Sequence, residues 1–330
     1  MVSVVRVLKI SILLIILLSL SFVSQAKKLD SLKYTQYKEF YLDWDNDMFL
    51  YRDFYYTQGA HLFYLAPRLR KNPATHILFR LNSADYYYGI GLIQEIYTPK
   101  DIADTLLNTI DRPYAGTLFF RSFIVSSIPY KRIRFTNQLD LGLMGPLSGA
   151  KQAQQIIHDW LDLGFPEGWD FQIENRPYIN YNAIVEKGLL SIPGIFEFNA
   201  NSRLRLGNIH DDLLVGATIR LGRLNDYFKG YNLSNKSYQE NKDFQFFIFA
   251  GASAVAVAYN ATLMGGIIPP PKHNTHFELK DINNLVGELS GGFQLSYKFI
   301  GVKMHAIWKT PEFKDGEHHG WGTISVYARF

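Results

Sequence analysis

The chain contains no cysteine, which excludes a disulfide framework, a zinc–thiolate centre, an iron–sulfur cluster and a thiol nucleophile. It also lacks an excess of one charge. Lys and Arg number 34 against 30 Asp and Glu, a formal +4, so there is no concentrated basic face and no nucleic-acid partner is expected. Past the N-terminus no uncharged apolar run reaches the roughly 18 residues of a membrane helix. The longest candidate, Phe244 to Tyr259, is interrupted by Gly251 and filled with Ala and Ser. What the chain has in plenty is Tyr (21) and Phe (24), at a mean hydropathy of only −0.08. Many aromatics at average polarity suit alternating strands better than a bundle of buried helices.

The N-terminus follows a different rule. Arg6 and Lys9 precede an uncharged stretch from Ile10 to Val23, and Ser24-Gln25-Ala26 ends in small residues. A basic start, a short apolar core and a small-x-small end predict a secretory signal peptide over 1–26, cleaved after Ala26. Export through the Sec pathway is expected, leaving 27–330 as one domain.

Within that domain alternation recurs. Ile133, Phe135, Leu139, Leu141 and Leu143 share one parity, with Asn137 the exception, while Arg132, Arg134, Thr136, Gln138 and Asp140 share the other. Leu213, Val215, Ala217, Ile219 and Leu221 oppose Thr218 and Arg220 in the same way. Each segment thus has an apolar and a polar face. The segments are long enough for tilted strands to cross a bilayer, and charges on the polar faces suit a wet lumen. The last strand ends Ile324, Val326, Ala328, Phe330 on one parity, similar to the insertion signal of bacterial outer-membrane barrels. About twelve alternating runs predict an all-β, antiparallel transmembrane β-barrel of about 12 strands, with short periplasmic turns and longer outer loops. The sixth run is expected over 169–187.

Three segments break the alternation, and each follows an odd strand, on the extracellular side if both termini are periplasmic. The third of them holds a helical pattern. Ser148 or Gly149 can cap it, and Ala150, Ala153, Ile156, Ile157, Trp160 and Leu161 give it an apolar side. Gln154 and His158, four apart, share a face, and a helix lying on the rim would turn His158 toward the barrel wall. On the first strand Asn46 ends the apolar row of Phe40, Leu42 and Trp44, where an amide is costly unless it meets a polar partner. Asp47 supplies hard oxygen of the kind calcium uses, and Thr57 opens the adjacent strand. An ordinary Asx turn at Asn46 and Asp47, and a surface histidine at 158, are the alternative readings. His318 and His319 are read as solvated loop residues.

Taken in order, Asp45-Asn46-Asp47, Tyr56-Thr57-Gln58-Gly59, Tyr97-Thr98-Pro99, Asp111-Arg112-Pro113-Tyr114-Ala115-Gly116, Gly145-Pro146, Gln154 with His158, and Gly168-Trp169-Asp170-x-Gln172 resemble the lipid A 3′-O-deacylase (LpxR) family. The resemblance implies a twelve-stranded outer-membrane barrel, monomeric, whose site lies between the outer wall and a loop helix. It implies hydrolysis of the ester that holds the 3′-linked acyloxyacyl chain of lipid A in lipopolysaccharide, with Ca2+ as cofactor. By the same carry-over His158 is the general base, Asn46 and Asp47 organise the metal and oxyanion site, and Thr57 and Gln154 complete the polar shell. Family members hold the anionic sugar core with basic loop residues, and the second loop here offers only Lys100 and Arg112. Glu167, Asp170 and Glu174 are further candidate ligands. The competing functions are an outer-membrane phospholipase, which needs a serine beside the histidine, and a passive channel, which needs an open lumen.

Overall fold

The computed structural model describes residues 37–50, 54–102, 111–162, 164, 166–233, 238, 241–266 and 277–330. The expected leader and its cleavage point, and residues 267–276 of a Pro-rich loop, lie outside the described residues. Twelve antiparallel strands close on themselves: β1 (Glu39–Asn46), β2 (Tyr55–Leu65), β3 (Asp85–Thr98), β4 (Ala115–Ile128), β5 (Ile133–Met144), β6 (Arg176–Ile192), β7 (Phe196–Gly207), β8 (His210–Arg223), β9 (Phe244–Asn260), β10 (Leu285–Tyr297), β11 (Ile300–Lys309) and β12 (His319–Arg329). β1 pairs with β2 on one side and β12 on the other, Asn46 opposing both Gln58 and Gly322, so no strand edge is left open. Among the described residues the α-helices are α1 (Ala150–Leu161) and the single turn α2 (Ala261–Met264). Among the described residues no helix is long and apolar enough to cross a membrane.

Parity sets the two faces. Leu213, Val215, Ile219 and Leu221 of β8 are exposed on the outside while Asp212, Leu214 and Arg220 are buried inside. The strand expected from 169 starts later. Gly168–Phe171 is a 3-10 turn, because Trp169 is needed outside the sheet, against α1.

The expectation of short periplasmic turns fails twice. Residues 227–231 of the β8–β9 connection fold back into the lumen. Arg134 donates to the Tyr227 carbonyl and, at 2.7 Å, to that of Gly230, while Ser127 Oγ donates to the Phe228 carbonyl at 2.7 Å. The Tyr231 ring lies 6.3, 6.1 and 6.2 Å from those of Tyr41, Tyr87 and Phe123. Backbone carbonyls inside a barrel need donors, and the polar parity of β4 and β5 supplies them. The β2–β3 connection goes the other way and packs on the outer wall. Its Phe79 N–H donates to Asn137 Oδ1 at 2.8 Å, which explains the single polar residue on the apolar parity of β5.

Candidate active site

Directly opposed residues of antiparallel strands share a face. Asn46 opposes Gln58, Gln58 opposes Ile96, and Ile96 opposes Gly116. These four form a row across the outer wall of β1 to β4 at the end of the barrel away from the termini, and Asn46, Gln58 and Ile96 are all buried. An outer-wall row shielded from the surface has been covered by something other than lipid.

Over β3 and β4 the cover is α1. A Cβ on Gly116 would stand 2.2 Å from Ala150 Cβ and 2.4 Å from Ser148 Oγ, so only glycine lets the helix sit this low. Gln94 Nε2 donates to the Ser148 carbonyl at 2.7 Å. Ile96, Tyr114, Ala150 and Trp169 pack into one apolar cluster, the Tyr114 and Trp169 rings 4.8 Å apart. At the β1 end Gly322 is covered by Phe49, whose ring meets Trp44 edge-on at 6.0 Å.

The helix has one face on the wall, formed by Ala150, Gln154 and His158, all buried. Trp169 Nε1 donates to Gln154 Oε1 at 2.7 Å. An indole N–H only donates, so this bond fixes the amide orientation. It turns Gln154 Nε2 away, and among the described residues that atom has no hydrogen-bond partner. His158 Nδ1 lies 2.6 Å from the Gly164 carbonyl oxygen. A carbonyl only accepts, so Nδ1 carries the hydrogen and the neutral ring keeps its lone pair on Nε2. The expected apolar side is only partly used. Ala150 and Ala153 pack inward, whereas Ile156 and Trp160 point outward, Trp160 being 75 % exposed.

At β1 the turn reading is present as well. Met48 N–H donates to Asn46 Oδ1 at 2.8 Å, and Phe54 N–H to Asp47 Oδ2 at 2.7 Å. Asp47 is fully buried. Thr57 occupies a bulge in β2 and its hydroxyl lies 2.6 Å from that of Thr98 on β3. The expected site residues thus fall into two groups, Asn46 with Asp47 and Gln154 with His158, with Gln58 and Thr57 of β2 between them. Three residues with no assigned role from sequence, Gln94, Gly116 and Trp169, hold the helix in place. Gln94 had a readable signal, being a polar amide on a lipid-facing parity.

Lys100 is exposed and paired with Glu317, and Asp170 and Glu174 pair with Lys151 and Arg176. Arg112 is only 1 % exposed. Its Nη1 donates to Glu312 Oε2 and its Nη2 to Thr262 Oγ1, each at 2.7 Å, with the guanidinium 4.5 Å from the Tyr97 ring. It therefore ties together inside the mouth three of the loops that follow odd strands, and Lys100 is the cation its loop presents to solvent. His319, expected in solvent, is buried with Nε2 3.6 Å from Glu312.

Burial pushes the Glu312 carboxyl up, but Lys309, Arg112 and His319 together hold it well below the usual carboxylate range. A depressed pKa stabilises the fold above the unfolded value and is lost only as pH falls through the folded one. The mouth is therefore expected to stay fastened in mild acid and to loosen only well below the ordinary glutamate range. Limited proteolysis of these loops over a descending pH series would show cleavage sites appearing late.

The family described as outer membrane protein LpxR matches residues 12–330. Among solved structures the fold is similar to LpxR from Salmonella typhimurium, with a TM-score of 0.71 at 22 % identity over 88 % of this chain and 99 % of that one. The β domain of the Bordetella autotransporter Brka is more distant, at a TM-score of 0.40 and 9 % identity over 90 % of this chain and 98 % of that one. No curated protein matches the chain. The barrel, the helix seated on its outer wall and the match along nearly the whole sequence agree, and the chain belongs to the LpxR family of outer-membrane proteins.

Proposed function

We propose that the chain is a lipid A deacylase of the bacterial outer membrane that hydrolyses the 3′-linked acyloxyacyl ester, with His158 as general base. Membership in the family supports the coarse activity. The observation that carries the finer reading is the setting of His158, a buried residue on the helix face that rests on the outer wall, whose Nδ1 is held by the Gly164 carbonyl so that the neutral ring has its lone pair on Nε2. Ester hydrolysis without a serine or cysteine nucleophile needs such a base. Nε2 takes a proton from water, the hydroxide oxygen bonds to the ester carbon, and collapse expels the sugar 3′ oxygen, which takes the proton back from His158. The products are a free acyloxyacyl carboxylate and lipid A with a 3′ hydroxyl.

In this reading the N–H groups of Gln154 Nε2, buried and without a hydrogen-bond partner among the described residues, donate to the ester oxygen as it becomes negative. Asn46, Asp47 and Thr57 line the rest of the polar shell, and Lys100 meets headgroup phosphate. Ca2+ suits a fully buried carboxylate at Asp47 beside the amide oxygen of Asn46. Among the described residues no three His, Asp or Glu side chains gather into a metal cluster, so Asp47 would be its main charged ligand, with neutral oxygens around it. When bound, the ion supplies positive charge toward the oxyanion. A closed barrel has no open edge to pair, and a monomer is the form proposed. Two rival readings lose support: among the described residues no serine hydroxyl is hydrogen-bonded to His158, whose Nδ1 partner is a backbone carbonyl, and residues 227–231 of the β8–β9 connection occupy the lumen.

The test is to incubate the folded protein with purified lipid A and calcium and to read products by mass spectrometry. Loss of one acyloxyacyl unit, falling to background with a chelator and restored by calcium, is expected. Intact lipid A alongside cleaved glycerophospholipid would overturn the substrate, and no cleavage of either would overturn the activity.

A further inference from the structure

Below the candidate site the outer wall falls into ordered rows. Gln58, Ala60 and Leu62 share one parity of β2, the face that carries the row at Asn46. Ala60 opposes Trp44 of β1 and Gln94 of β3, and Leu62 opposes Leu42 and Leu92 of the same two strands. Burial changes from row to row. Asn46, Gln58 and Ile96 are buried, whereas Leu42, Leu62 and Leu92 are exposed, four residues or about 13 Å further along their strands. The row between them decides how the polar cleft opens onto the lipid-facing wall.

In that middle row each neighbour of Ala60 is engaged by a cover. The Trp44 ring meets Phe49 edge-on at 6.0 Å, and Gln94 Nε2 donates to the Ser148 carbonyl, just ahead of α1, at 2.7 Å. Trp44 and Gln94 are both half-buried, while Ala60 is exposed. Ala60 therefore stands in a gap between the two covers. Its methyl group leaves open a strip of wall that runs from the amide of Gln58 to the exposed leucines. Both covers also carry exposed apolar side chains, Met48 and Phe49 on one and Ile156 and Trp160 on the other. A strip that is polar at its buried end and apolar beyond it matches an ester with a hydrocarbon tail, and continuity with the lipid-facing wall lets that tail arrive without crossing water.

We propose that the strip over Ala60 and Leu62 is an acyl-chain subsite, and that the small side chain of Ala60 sets the room through which the chain of a lipid A ester reaches the cleft. The subsite rests on the deacylase reading. The first arm of the experiment is deacylation in mixed micelles. Ala60→Val and Ala60→Phe are expected to raise the lipid A mole fraction needed for half-maximal rate by roughly tenfold and roughly a hundredfold. Leu213→Phe, on the lipid-exposed wall of β8, is expected to leave it unchanged. The second arm does not need turnover. The chain has no cysteine, so Ala60→Cys introduces a single thiol. In a His158→Ala background lipid A is expected to slow maleimide labelling of that thiol severalfold more than phosphatidylcholine does, and to spare labelling of Leu213→Cys. Wild-type turnover by Ala60→Phe, or equal protection of the Ala60→Cys thiol by the two lipids, would overturn the subsite and leave the deacylase standing. Protection by lipid A alone, in a protein whose wild type cleaves no lipid A, would support the subsite and overturn the reaction.

Discussion

His158→Ala is expected to lower lipid A deacylation by about 10²–10⁴-fold, the usual contribution of a positioned general base, in a barrel that still folds. The size of the loss decides between two roles. If His158 only clasps the loop through its Nδ1 bond to the Gly164 carbonyl, the substitution removes a neutral hydrogen bond of about 0.5–1.5 kcal/mol. Loosening on that scale corresponds to tenfold or so in rate, since a factor of ten is about 1.4 kcal/mol. Single-turnover rates on lipid A in mixed micelles would resolve the two, with heat-modified gel mobility confirming the closed barrel. A loss below tenfold sinks the base assignment and leaves His158 a loop clasp. The Trp169→Phe variant is a useful companion. It frees Gln154 Oε1, so the amide can turn over, and a smaller drop than for His158→Ala is expected because the proton acceptor stays in place.

Strand parity was legible because it needs only local sequence. The alternation around Arg134 and Leu213 placed β5 and β8 and told inner from outer face, and closure of the barrel followed from their number. Parity says which face a residue takes and nothing about what lies on that face. Asn46 and Asn137 both read as polar residues in apolar rows. One ends a row at the candidate site, the other accepts the Phe79 amide hydrogen from a folded-back connection, and only tertiary structure separates the cases. Arg112 read as a headgroup contact because loop arginines are usually exposed; its partners, Thr262 and Glu312, come from loops 150 and 200 residues away. Ile156 and Trp160 fitted the apolar side of a helical wheel, but the wall side is set by the small residues Ala150 and Ala153 that can approach the sheet. The two groups at the rim were found by composition and resemblance. The device that holds one beside the wall, Gly116 under Ala150, has no signature in a single sequence.

That device gives the second large effect. With Gly116→Ala, the added Cβ is expected to strike Ala150 Cβ at 2.2 Å and Ser148 Oγ at 2.4 Å, where ordinary carbon contacts are about 3.5–4.0 Å. Relief requires the helix to move out by more than about 1 Å, a displacement that costs on the order of 10²-fold when it shifts a catalytic group. The strain itself is modest, about 1–3 kcal/mol for overpacking, and the strand below is held by its ladders to β3 and β5. Gly116→Ala is therefore expected to leave the barrel folded while lowering deacylation about a hundredfold, and to raise proteolysis in the loop that carries α1. Adding Ala150→Gly and Ser148→Ala removes both struck atoms and is expected to restore most of the rate, since glycine at the first position of a helix costs little more than about 1 kcal/mol. A Gly116→Ala protein with full activity would mean that the helix need not sit this close, and would separate the positions of Gln154 and His158 from the outer wall. A loss that the triple variant recovers would tie catalysis to the height of the helix above β4, with Gly116 as the residue that sets it.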